Sequence, residues 1–145
     1  MARVLIVPCG CRGQALAREL AGRLRADGHA VRGTTRDTAR ANAIAAAGAE
    51  PYIGDPDRIG TLMDALAGVT VVVWLMGRVD VPDLHGRRLR MLFEKLVDTP
   101  VRGVVYEGTA GEAIARDAAE RWQIPVAIMA PGADAKSAVD RLLGL

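Results

Sequence analysis

Short, almost wholly apolar runs alternate along this chain with longer stretches in which apolar residues recur every three or four positions. The apolar runs predict strands near residues 3–8, 30–35, 50–53, 69–76, 101–107 and 124–130. The amphipathic stretches predict helices near 13–27, 37–47, 57–67, 84–97, 110–122 and 134–143. In the first helix Leu16, Leu20 and Leu24 recur with Ala17 and Ala21 beside them, while Arg18, Glu19, Arg23 and Arg25 take the opposite side. Gly28 follows as a left-handed C-cap would. The run from Val69 to Met76 has almost no polar position, which suits a central strand covered on both faces. Six strand–helix units with crossovers of this length require parallel strands joined by right-handed connections. No linker, repeat or low-complexity tract interrupts them, so residues 1–145 are expected to form one domain.

The first unit carries the most specific pattern. Val4-Leu5-Ile6-Val7 runs into Pro8-Cys9-Gly10-Cys11-Arg12-Gly13, a buried strand ending in a glycine turn that opens a helix. This is the build of a dinucleotide-binding βαβ unit, where the free N–H groups of a helix N-terminus face a pyrophosphate. Pro8 stands in the place of the first glycine of G-x-G-x-x-G, while Gly10 and Gly13 keep theirs. Gly10, Cys11, Arg12 and Gly13 are therefore the candidate cofactor-binding residues of the turn. The alternative is a tight strand-to-helix turn that binds nothing. The expected fold is a Rossmann-type doubly wound parallel sheet of about six strands, in order 3-2-1-4-5-6, with helices on both faces. Its ligand crevice lies outside the carboxyl ends of the strands, near the first and the fourth.

Composition narrows the picture. Half the residues are apolar, yet there are one Phe, two Tyr and two Trp, so the core must be aliphatic. The net charge of +2 is spread among acids over many helices, which leaves no concentrated nucleic-acid patch. Cys9 and Cys11, the only cysteines, are too close to staple a fold, and neither His29 nor His85 completes a metal site. A reduced, cytoplasmic setting is expected. The N-terminal apolar run is too short for a signal peptide, and no segment is expected to span a membrane.

The turns after the strands hold the candidate chemistry. An NAD-selective site places an acid at the end of the second strand, to accept from a ribose 2′-hydroxyl. Thr34 and Thr35 stand there instead, followed by Arg36, a guanidinium suited to the 2′-phosphate of NADP. Arg12 is expected to reach the same phosphate. Each arginine could equally be a solvated surface charge, and Asp37 could pair with Arg36 or cap the next helix. Asp55 either accepts from an adenine amino group or N-caps a helix starting at Pro56. Leu75, Met76 and Gly77 close the fourth strand and are expected to flank adenine and ribose.

These pieces, with Gly28-His29-Ala30-Val31-Arg32, Thr35-Arg36-Asp37, Gly54-Asp55, Val104-Val105-Tyr106-Glu107-Gly108-Thr109 and Ile128-Met129-Ala130-Pro131-Gly132, resemble the NAD-dependent epimerase/dehydratase superfamily (extended and atypical short-chain dehydrogenases/reductases), near its NmrA-like branch. The resemblance implies phosphate contacts at Gly10 and Gly13, NADP selection by Arg36, adenine contact at Asp55, a loop through Pro131 reaching toward nicotinamide, and Thr109 at the catalytic Ser/Thr position. It also implies a departure. The family's reductases use Tyr-x-x-x-Lys, but Ala110 follows Tyr106 and Pro56 follows Tyr52 at that spacing, and neither Lys95 nor Lys136 has such a tyrosine. The leading expectation is an NADP(H)-binding protein with a redox-sensing or regulatory role. The alternatives are an NADP-dependent oxidoreductase using Thr109 or water as proton source, and a cofactor-free interaction domain. The apolar face Leu89, Leu92, Phe93 and Leu96 within 84–97, widened by Leu84, Met91 and Val97, suggests a homodimer through that helix.

Overall fold

The computed structural model describes residues 2–26, 28 and 30–144, without the side chains of 23–25. The side chains of the pattern positions Arg23, Leu24 and Arg25 are therefore not described, and His29 lies outside the described residues. Six strands form one sheet: β1 (Arg3–Val7), β2 (Ala30–Thr35), β3 (Glu50–Ile53), β4 (Val71–Leu75), β5 (Gly103–Glu107) and β6 (Val126–Met129). Their order is β3-β2-β1-β4-β5-β6, and every pairing is parallel, as the alternation of the sequence requires. β4, whose five residues are all buried, sits between β1 and β5.

Successive residues of each strand feed opposite layers. Val72 and Trp74 join Leu5, Val7, Val104 and Tyr106 under α3 (Arg87–Leu96) and α4 (Glu112–Trp122). Val71 and Val73 join Val4, Ile6 and Val105 under α1 (Cys11–Ala26), α2 (Ala41–Ala46) and α5 (Ala135–Leu143). Both faces are covered, and the core is aliphatic apart from a few rings. Among the described residues, no helix is long and apolar enough to cross a membrane.

Several boundaries differ from the sequence expectation. α1 opens at Cys11, two residues early, because the chain turns into helix directly after Gly10. Residues 37–47 divide into a 3₁₀ turn, Thr38–Arg40, and the short α2. The helix expected over 57–67 is two 3₁₀ turns, Ile59–Leu62 and Asp64–Leu66. Its apolar residues Ile59, Leu62 and Ala65 are all buried and recur every three positions, the 3₁₀ period. Residues 84–97 likewise begin with a 3₁₀ turn, Pro82–His85, before α3. On α3 the expected pairing face is largely used up: Leu89, Leu92, Phe93 and Leu96 are buried in the core, leaving Val97 exposed and Met91 half-buried.

Two glycines fix how α1 and β2 approach the first turn. A Cβ at Gly13 would lie 2.8 Å from the Pro8 carbonyl oxygen, so only glycine lets α1 pack this close to the end of β1. A Cβ at Gly33 would lie 2.5 Å from Cys9 Sγ, so the bare backbone of β2 makes room for that thiol.

Candidate functional site

The strand ends open on a crevice of about 680 Å³. It is lined by Pro8 to Gly10 after β1, by Thr34 to Asp37 with Arg40 at and after β2, by Gly54 to Asp57 after β3, and by Met76, Val79, Val81 and Leu84 after β4. This is the switch point between β1 and β4 where a doubly wound sheet takes its ligand. The first intrahelical bond of α1 runs from Gln14 N–H to the Gly10 carbonyl at 2.8 Å. The N–H groups of residues 11–13 therefore have no acceptor within the helix. Nothing lies within 4 Å of a Cβ placed at Gly10, so the turn is open to close approach.

Charge at the rim is uneven in its commitments. Each of the three carboxylates already has work: Asp37 Oδ1 accepts from Ala39 N–H at 2.9 Å, Asp55 Oδ1 from Asp57 N–H at 2.9 Å, and Asp57 meets Arg88 Nε at 3.2 Å. Asp37 thus caps the following turn, as anticipated. Asp55 caps no helix, since an Asx turn and not a helix follows it, and its own N–H donates to Thr61 Oγ1 at 2.8 Å. Arg36 and Arg40 are exposed, and neither guanidinium has an ion-pair partner among the described residues. Arg40 was missed in the sequence because nothing local distinguishes it from other surface arginines.

Arg12 departs from expectation. It does not join Arg36. Its guanidinium closes on Glu107, with Nη1 2.7 Å from Oε1 and Nη2 on Oε2. Glu107 ends β5 and is fully buried. The same carboxylate accepts from Gly77 N–H after β4 and from Gly132 N–H after β6, each at 3.0 Å. Gly77 is needed there, because a Cβ would fall 2.6 Å from Glu107 Oε1. Burial pushes the Glu107 carboxyl upward, but Arg12 and the Gly132 and Gly77 N–H groups outweigh it and hold the group below the usual carboxylate range. The sequence signal was a lone acid closing the apolar strand Val104-Val105-Tyr106, a position that demands a partner.

The other expected residues scatter. Met76 lines the crevice, whereas Leu75 lines a separate hollow of about 370 Å³ with Arg12, Arg78, Gly132 and Lys136. Thr35 supports the β2 turn by accepting from Asp37 N–H at 3.1 Å. Cys11 is exposed in the first turn of α1. Thr109 and Pro131 are exposed on the turns after β5 and β6. Tyr106 is fully buried. His85 donates from Nε2 to the Val79 carbonyl at 2.9 Å, so its Nδ1 accepts from the Tyr106 hydroxyl at 2.6 Å. Gly111 N–H donates to that hydroxyl at 2.8 Å, and desolvation raises the phenol's pKa.

The residues present fit the adenosine half of a dinucleotide, with an open helix N-terminus and two uncommitted guanidinium groups over β1–β3. On the other side of the switch point, the Gly77 and Gly132 N–H groups after β4 and β6 are bonded to Glu107.

Comparison with known proteins agrees with this fold. The chain is similar in fold to Citrobacter sp. triphenylmethane reductase complexed with NADP(H), with 18% identity and a TM-score of 0.68 over 88% of this chain and 48% of that one. UDP-glucuronic acid 4-epimerase from Bacillus cereus gives 13% identity and a TM-score of 0.68 over 99% of this chain and 63% of that one. A putative NAD-dependent epimerase/dehydratase from Bacillus halodurans gives 16% and 0.65 over 88% and 69%. The chain thus spans about half the length of the reductase. No curated protein matched the sequence. A family profile described as NAD(P)H-binding matches residues 10–144, and the chain belongs to that family.

Proposed function

We propose that this protein binds NADP(H) in preference to NAD(H) and acts as a regulatory nucleotide-binding protein. The observation that carries the reading is the rim of the crevice, where three carboxylates are engaged and the Arg36 and Arg40 guanidinium groups are free. A 2′-phosphate dianion complements that pair, and neither guanidinium has to leave a carboxylate among the described residues to meet it. The enclosed Tyr106 hydroxyl supports a binding role over dehydrogenase chemistry, since it has no path to a substrate proton. Calorimetric titration of the parent protein with NADPH and NADH tests the preference, and equal affinities would end it.

Pairing of two chains through residues 84–97 also stands as a proposal, now resting on Met91 and Val97 alone. Light scattering at micromolar concentration should then report about twice the 15.4 kDa chain mass, and Met91→Glu should return it toward one.

A further inference from the structure

A doubly wound sheet binds a dinucleotide across its crevice, one nucleotide over each half of the sheet, with the pyrophosphate at the first helix. The two halves of this molecule are not built alike. Over β1–β3 and the turn after β4 lies the open crevice, with the Arg36 and Arg40 guanidinium groups at its rim. The residues lining it come from the end of β2 and the turns that follow β1 to β4. Over β4–β6 the strand ends are drawn together on one side chain. The fully buried Glu107 carboxylate takes the Arg12 guanidinium from α1, the Gly77 N–H after β4 and the Gly132 N–H after β6. The Gly77 and Gly132 N–H groups of those two turns are thus bonded to the chain's own acid and not offered to a ligand.

We propose that the crevice is specific for the 2′-phosphoadenosine half of its ligand, and that the Arg12–Glu107 clamp denies the nicotinamide half its hydrogen bonds. This rests on the NADP(H) reading above and sharpens it. NADP⁺ and NADPH differ only in the nicotinamide ring, so the protein responds to the amount of 2′-phosphorylated nucleotide and not to its redox state. The ligand class is any nucleotide that presents a 2′-phosphoadenosine, whatever lies beyond its 5′-diphosphate.

Calorimetry with 2′-phosphoadenosine 5′-diphosphate, which keeps the pyrophosphate and lacks the nicotinamide riboside, with NADP⁺ and with NADPH on the parent protein tests this. The three dissociation constants are expected to agree within about twofold, against the tenfold that 1.4 kcal/mol of extra contact would produce. A second arm uses Arg12→Met/Glu107→Leu, an apolar pair that keeps the volume filled and frees the Gly77 and Gly132 N–H groups. In that variant NADPH should gain on the diphosphate by roughly tenfold. A parent that binds NADPH ten times more tightly than the diphosphate, or that separates NADP⁺ from NADPH, overturns the proposal while leaving NADP(H) binding intact. A variant in which the ratio does not move overturns the role of the clamp. A parent that binds none of the three overturns the NADP(H) reading itself, and the proposal with it.

Discussion

Arg36 and Arg40 stand exposed over an open crevice with no carboxylate holding them, whereas Arg12, from the same arginine-rich composition, is committed to a buried acid. A guanidinium that is free before binding can give its full charge-assisted contact to a ligand, because no existing pair must first be broken. Arg36→Ala should therefore cost about 1.5–3 kcal/mol in NADPH affinity and leave NADH affinity nearly unchanged. Arg40→Ala should act in the same direction. Titration of both cofactors against each variant reads this directly, and an equal loss for the two would mean that Arg36 touches a part they share. The sequence could mark Arg36, because it follows the second strand at the place where selectivity is set. It could not tell that Arg12 was already spent, since its partner lies ninety-five positions away.

Between elements, that partnership links α1 to the turns after β4 and β6 through the end of β5. Removing one member of a buried pair leaves the other charge uncompensated, while replacing both with apolar groups is often neutral or better. Arg12→Met alone should thus destabilise the fold by about 3–5 kcal/mol, at the lower end since Arg12 keeps a third of its side chain in solvent. Arg12→Met/Glu107→Leu should recover part of that loss, since it removes the uncompensated charge but also the acceptor of the Gly77 and Gly132 N–H groups. Urea denaturation of both measures it, and a double variant no more stable than the single one would show that the uncompensated charge is not the dominant cost. The elements themselves were legible wherever one period dominated. The apolar runs gave all six strands and their order, because unbroken hydrophobic strands joined by long crossovers leave little topological choice. Residues 57–67 misled because three-residue and 3.6-residue spacings nearly coincide over so short a stretch, and Asp55 then lost the helix it was expected to cap.

For the whole molecule, the buried titratable groups set two limits on stability. Glu107 is held below the usual carboxylate value of 4.5 in the fold. Its contribution is therefore fully present above that pH and is lost as acid protonates the folded carboxyl, which weakens the clamp on α1 and two turns at once. At the alkaline end the sign reverses. Burial pushes the Cys9 thiol from 9.0 up to about 11, and desolvation raises Tyr106 from 10.0. The unfolded chain gives up these protons first, so stability is intact below about pH 9 and falls as the pH climbs toward 11. Each group adds a slope of at most about 1.4 kcal/mol per pH unit. Denaturant midpoints measured from pH 3 to 11 should trace a plateau with a loss on either side. Cys9→Ala should flatten the first part of the alkaline fall, and Arg12→Met/Glu107→Leu should shrink the acid one. If Cys9→Ala loses stability with the parent's slope between pH 9 and 10, the thiol packed against Gly33 is not the group that titrates there. The alkaline limit would then belong to the Tyr106 hydroxyl, enclosed by His85 and Gly111 on the opposite face of the sheet.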